Sequence, residues 1–83
     1  MEKIAYSKSS LKVVRRLRAS EARQIAHKIK QYASDPQSMA NNAKALTGSP
    51  YIRLRVVDWR VIMDDKGSVL DILKISSRGS VYE

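Results

Sequence analysis

YIRLRVVDWRVIM, residues 51–63, is the stretch on which the fold of this chain turns. Read with period two, it puts Ile52, Leu54 and Val56 on one face of a strand and Tyr51, Arg53 and Arg55 on the other. After Asp58 the alternation resumes, with Trp59, Val61 and Met63 apolar and Arg60 and Ile62 between them. If the chain reverses at Val57-Asp58 with an even number of loop residues, Arg55 lies opposite Arg60. Like charges facing each other weaken a sheet, so the pair points to an anion between them. The guanidinium fork matches phosphate oxygens, which makes a nucleic-acid backbone the first candidate. A solvated basic outer face explains the cluster equally well, and support has to come from elsewhere in the chain.

Composition narrows the class. With 83 residues the chain is expected to form one domain, 1–83, too short for two cores. Hydrophobic residues make up 43%, enough for a two-layer fold with a thin margin of stability. Cysteine is absent and histidine occurs once, which argues against a disulfide framework, a thiolate or histidine metal site and a Ser-His-Asp triad. No cofactor or metal is expected. There is no signal-peptide pattern, and no apolar run approaches the roughly 20 residues needed to span a bilayer, so the expected location is cytoplasmic, with no membrane partner. Sixteen Lys+Arg against eight Asp+Glu leave a net charge of +8. Such an excess favours a polyanionic target, an acidic protein partner, or both.

Taken in order, Lys3 to Tyr6 reads as a short strand. Ser7, Ser9 or Ser10 can cap a first helix running to about Arg18, with Leu11, Val14 and Leu17 inward and Lys8, Lys12, Arg15, Arg16 and Arg18 outward. Ser20 can cap a second helix with Glu21 in its first turn. Ala22, Ile25, Ala26, Ile29, Tyr32 and Ala33 form its apolar stripe, and Asp35-Pro36 ends it. His27 falls on the polar side of that helix, where nothing nearby poises it as a base. Gln37 to Pro50 reads as a connector with one helical turn at Ala43 to Leu46, and Gly48-Ser49-Pro50 turns the chain into the sheet. Asp64-Asp65-Lys66-Gly67 is a tight turn with Gly67 free to take positive φ. Ser68 to Ser76 then forms a strand apolar on both faces, as a mid-sheet position requires. The expected fold class is therefore α+β in the order βααβββ. Two helices cover one face of a mostly antiparallel four-stranded sheet, and the arginine face is left open.

The C-terminal residues supply reactive groups. Arg78 and Tyr82 follow the last strand, where a loop can return to the sheet face. Positive neighbours favour a phenolate, so a tyrosine among arginines becomes a base able to take the proton of a ribose 2′-OH. Arginines can neutralise the pentacoordinate phosphate and assist the leaving 5′ oxygen. Taken alone, one Tyr and one Arg are equally consistent with an aromatic plug at a fraying terminus.

The order βααβββ, the run PYIRLRVVDWRVIM, the strand VLDILKI and the ending SSRGSVY together resemble the RelE/ParE superfamily of toxins from bacterial type II toxin–antitoxin systems. The resemblance covers essentially the whole chain. For RelE-like members it implies a ribosome-dependent mRNA endonuclease whose basic sheet face and terminal tyrosine cleave mRNA in the ribosomal A site. Arg53 and Arg55 match basic residues that grip RNA, and Arg60 matches the arginine that stabilises the scissile phosphate. Arg78 resembles the residue that assists the leaving group, and Tyr82 the tyrosine that activates the 2′-OH. The resemblance also implies a cognate antitoxin in a toxin–antitoxin hetero-oligomer, with the ribosome and mRNA as further partners, and the +8 charge and small core suggest that the antitoxin segment is acidic and amphipathic. Three departures stand out. Tyr51 replaces a lysine found in some RelE toxins, Val57 replaces a frequent glycine, and the sequence stops at Glu83 without the C-terminal helix of some relatives, which leaves room for a partner. The alternative within the superfamily is a ParE-like toxin that inhibits DNA gyrase by binding, without catalysis. Such chains generally lack the full Arg/Arg/Arg/Tyr set present here, which favours the nuclease. A small nucleic-acid-binding module would explain the charge but give Tyr82 no task.

Overall fold

The structure, a computed structural model, describes residues 3–77. In chain order its elements are β1 (Lys3–Tyr6), α1 (Lys8–Arg16), α2 (Ala19–Ser34), a 3₁₀ turn (Pro36–Met39), β2 (Ala43–Ala45), β3 (Ile52–Val56), β4 (Trp59–Asp65) and β5 (Val69–Ser77). The strands form one five-stranded sheet in the order β1-β5-β4-β3-β2. Neighbours are antiparallel except for β1, which runs parallel to β5. The α+β class agrees with the expectation from sequence, and the count of four strands is corrected to five. The added strand lies where a helical turn was expected. Ala43, Lys44 and Ala45 pair instead with Leu54, Arg53 and Ile52, and the preceding 3₁₀ turn buries Met39.

α2 forms as its stripe dictates. Ile25, Ile29, Tyr32 and Ala33 are buried and meet Leu54, Val56, Val61, Met63, Leu70, Ile72 and Ile75 from the sheet in one apolar cluster. The helix opens at Ala19 with Arg18 in the cap position and no side-chain cap, two residues before the expected cap at Ser20. Burial has also set the phenol of Tyr6 above its ordinary pKa.

The inward face of α1 keeps the expected Val14 and Leu17 but not Leu11. Leu11 is 39% exposed, whereas Ser10 is fully buried and Val13, Val14 and Leu17 pack against the core. Residues 10, 13, 14 and 17 follow the i, i+3, i+4, i+7 spacing of a single helix face. What turns this face inward is a β-bulge. Ile62 pairs with Lys74 but Met63 pairs with Ile72, so Leu73 is an extra residue on β5. The Ser7 hydroxyl donates to the Leu73 carbonyl at 2.9 Å and the Ser10 hydroxyl to the Ile72 carbonyl at 2.8 Å. Ser7 also caps α1, accepting from the Ser10 amide at 3.1 Å. The helix is thus moored to the bulge by its own capping serines. The bulge has a second effect: it shifts the side-chain parity of β5, so that Ile75 joins Leu70 and Ile72 in the core while Lys74 and Ser76 face the other way.

Among the described residues no helix is long and apolar enough to cross a membrane.

Candidate functional site

The two central strands of the site are joined by a loop of two residues, Val57 and Asp58, closed by the pair Val56–Trp59. That register sets Arg55 directly opposite Arg60, as the even loop requires. The Arg55 amide hydrogen-bonds outward to the Asn42 carbonyl at 2.8 Å, so toward β4 the arginine pair is of the non-hydrogen-bonded kind. Side chains come closest in such pairs, with Cβ atoms about 4.5–5.5 Å apart.

Val57 takes φ +54, and Asp58 does not share the positive sign. These are the φ signs of a II′ hairpin turn, whose first position glycine normally fills. Valine can be held there only under strain of about 1–2 kcal/mol. Its side chain is also 62% exposed, so packing returns nothing. Val57→Gly is expected to stabilise the protein by up to about 1 kcal/mol, since relief of strain exceeds the entropy that glycine adds to the unfolded chain. A lower denaturant midpoint for this variant would contradict that account.

Alternation carries Leu54, Val56, Val61 and Met63 into the core and Arg53, Arg55 and Arg60 onto the open face. Arg55 is exposed, and Arg53 and Arg60 are half-buried. Register adds two cations that the sequence reading did not assign. Lys44 lies opposite Arg53, and Lys74 lies opposite Ile62 on the same face. Lys44 sits in a segment with no strand signal of its own, and Lys74 reaches this face through the bulge. Asn41, Asn42, Lys44, Arg53, Arg55 and Arg60 line a hollow of ≈ 160 Å³ on this side of the sheet. A second hollow at the hairpin tip is lined by Arg55, Val57, Asp58, Trp59 and Arg60. The Trp59 indole N–H donates to Glu21 at 3.4 Å, which ties the tip of the hairpin to α2.

Among the described residues the only ion pair is Lys66–Asp71, at 2.8 Å, so no described carboxylate pairs with the five cations of the face. That pair lies farther along the same face, where Asp64 stands opposite Asp71. The hydrogen bond to Asp71 raises the pKa of the Lys66 ammonium, and the charges of Asp71 and Asp64 add to the effect. The open face is thus basic toward the β3–β4 hairpin and acidic toward the β4–β5 turn. His27 is exposed on α2, away from this sheet face. The proposed site residues Arg78 and Tyr82 lie outside the described residues.

No family model and no curated protein matches the chain in sequence. Solved structures do match. The RelE–RelB complex of Pyrococcus horikoshii OT3 contains a chain 23% identical, with 96% of this chain and 98% of that chain covered and a TM-score of 0.77. A mutant toxin RelE of E. coli in the free state is 21% identical over 96% and 86% of the two chains, with a TM-score of 0.71. E. coli YafQ is 14% identical over the full length of both, with a TM-score of 0.74. The E. coli RelE structure is of the toxin in the free state, which identifies the shared architecture, and the chain therefore has the fold of the RelE-like toxins.

Proposed function

We propose that this chain is the toxin of a toxin–antitoxin pair and an endoribonuclease that cuts mRNA on the ribosome. The observation that carries the reading is the Arg55–Arg60 pair, two unneutralised guanidiniums held against each other on an open face beside Arg53. Between strands such a pair is destabilising, and a bound phosphate turns the repulsion into bidentate attraction. The fold likeness to RelE and YafQ supports the toxin assignment.

In this mechanism Tyr82 takes the proton of a ribose 2′-OH and the 2′ oxygen attacks the adjacent phosphorus. The bond from phosphorus to the 5′ oxygen breaks, leaving a 2′,3′-cyclic phosphate, and the departing 5′ oxygen takes a proton from water to become a hydroxyl. Arg60 offsets the charge that builds on the phosphoryl oxygens, and Arg78 offsets that on the departing oxygen. Arg53 and Arg55 hold the backbone. The ribosome supplies an ordered substrate, which is where much of the rate of such a reaction originates.

A partner chain completes the reading. RelE of P. horikoshii was solved with RelB, and a cognate antitoxin for a chain of charge +8 is an acidic, amphipathic segment. Toxin added to translating ribosomes should produce discrete new mRNA 5′ ends by primer extension, while naked RNA is cut slowly and gyrase supercoiling proceeds unhindered. Inhibited supercoiling with intact mRNA would overturn the assignment in favour of a gyrase-binding toxin.

A further inference from the structure

The two lysines brought in by register bear on how RNA lies on the sheet. One row across β2, β3, β4 and β5 reads Lys44, Arg53, Ile62, Lys74. The next row, nearer the hairpin tip, reads Arg55, Arg60, Ser76. On the far side of the first row stand Asp64 and Asp71, opposite each other. Rows on one face are about 6.8 Å apart along a strand, and neighbouring strands are about 4.8 Å apart. A polyanion laid along the strands would leave Arg55 and Arg60, pass one further row and meet the two carboxylates. Laid across the strands, it meets cations on three of four strands over about 14 Å, with a lysine at each end and no carboxylate in the row. Both lysines are exposed and neither is in an ion pair. Between Arg53 and Lys74 the half-buried Ile62 offers an apolar spot on which a base can rest.

We propose that Lys44 and Lys74 position the RNA backbone and that the strand crosses the sheet from β2 to β5, bounded on one side by Asp64 and Asp71. This rests on the endoribonuclease reading and adds to it the direction of the substrate and two residues that hold it. An acidic peptide is the competing occupant. It is the weaker fit, because the gap in the row at Ile62 can receive a flat base, which a run of carboxylate side chains does not supply.

The test uses the full chain and a short single-stranded RNA with 2′-O-methyl riboses, which binds without being cut. Affinity is followed by fluorescence anisotropy between about 50 and 200 mM salt, where each phosphate contact to a single strand contributes about 0.7 to the slope of log affinity against log salt. Lys44→Ala and Lys74→Ala should each lower that slope by about 0.7, and the double variant by about twice as much, because one strand touches both ends. Lys30→Ala, the same charge change on the exposed side of α2, should leave the slope unaltered. In ribosome-dependent cleavage the two variants should need more toxin for half-maximal rate yet reach the same maximum, and Lys74→Arg should restore binding. Slopes equal to that of Lys30→Ala would overturn the proposal, as would losses seen with poly-glutamate but not with RNA. If Arg55→Ala/Arg60→Ala weakens RNA binding while the lysine variants do not, the track fails and the nuclease reading stands. If that double arginine variant also binds RNA normally, both fall.

Discussion

Tyr82→Phe should abolish most growth inhibition while the protein still folds and still binds its antitoxin. The substitution removes one oxygen and keeps the ring, so it separates proton transfer from packing. General-base contributions run to about 10²–10⁴-fold, and cleavage on ribosomes should fall by that factor. Under the alternative of gyrase inhibition the hydroxyl has no chemical task, and the variant stays toxic. Full toxicity at equal expression would falsify the role given to Tyr82.

Arg60→Ala should move activity and stability in opposite directions. Loss of charge stabilisation at the phosphoryl oxygens should lower the cleavage rate by about 10²–10³-fold. The same change removes the like-charge pair with Arg55, which disfavours the hairpin by about 0.2–1 kcal/mol. The variant should therefore unfold at a slightly higher denaturant concentration than the parent while being nearly inactive. Arg53→Ala gives a different signature. Arg53 is one row farther from the hairpin tip, opposite Ile62 rather than another arginine, so its removal should weaken binding more than the chemical step. A less stable Arg60→Ala protein would show that the pair is not under repulsion, and with that the argument for a phosphate between the two arginines would fail.

An arginine pair that costs stability and a valine held at positive φ occupy the same hairpin. Local rules that most of the chain obeys are broken together at this one place, as is expected where a site constrains the backbone and the charge.

Several features were already determined by sequence. Period two over residues 51–63 settles which side chains share a face, and a two-residue loop then leaves one register, with Arg55 across from Arg60. The α2 stripe and the turn at Gly67, which takes φ +87, are equally local. Arg78 and Tyr82 came from sequence and resemblance, and they remain proposals outside the described residues. Tertiary structure decided the rest. Ala43–Ala45 has no strand signal and is a strand only because the edge of β3 offers unpaired backbone groups. The parallel pairing of β1 with β5 joins segments far apart in the chain, and no local pattern specifies that. Leu73 reads as an ordinary apolar strand residue, yet as a bulge it turns Ile75 inward and leaves Lys74 on the basic face. The same bulge draws Ser10 inward and leaves Leu11 outside. Periodicity assigns faces within an element, whereas register between elements follows from which distant backbone groups must be satisfied together, and that is how Lys44 and Lys74 came to stand in line with Arg53.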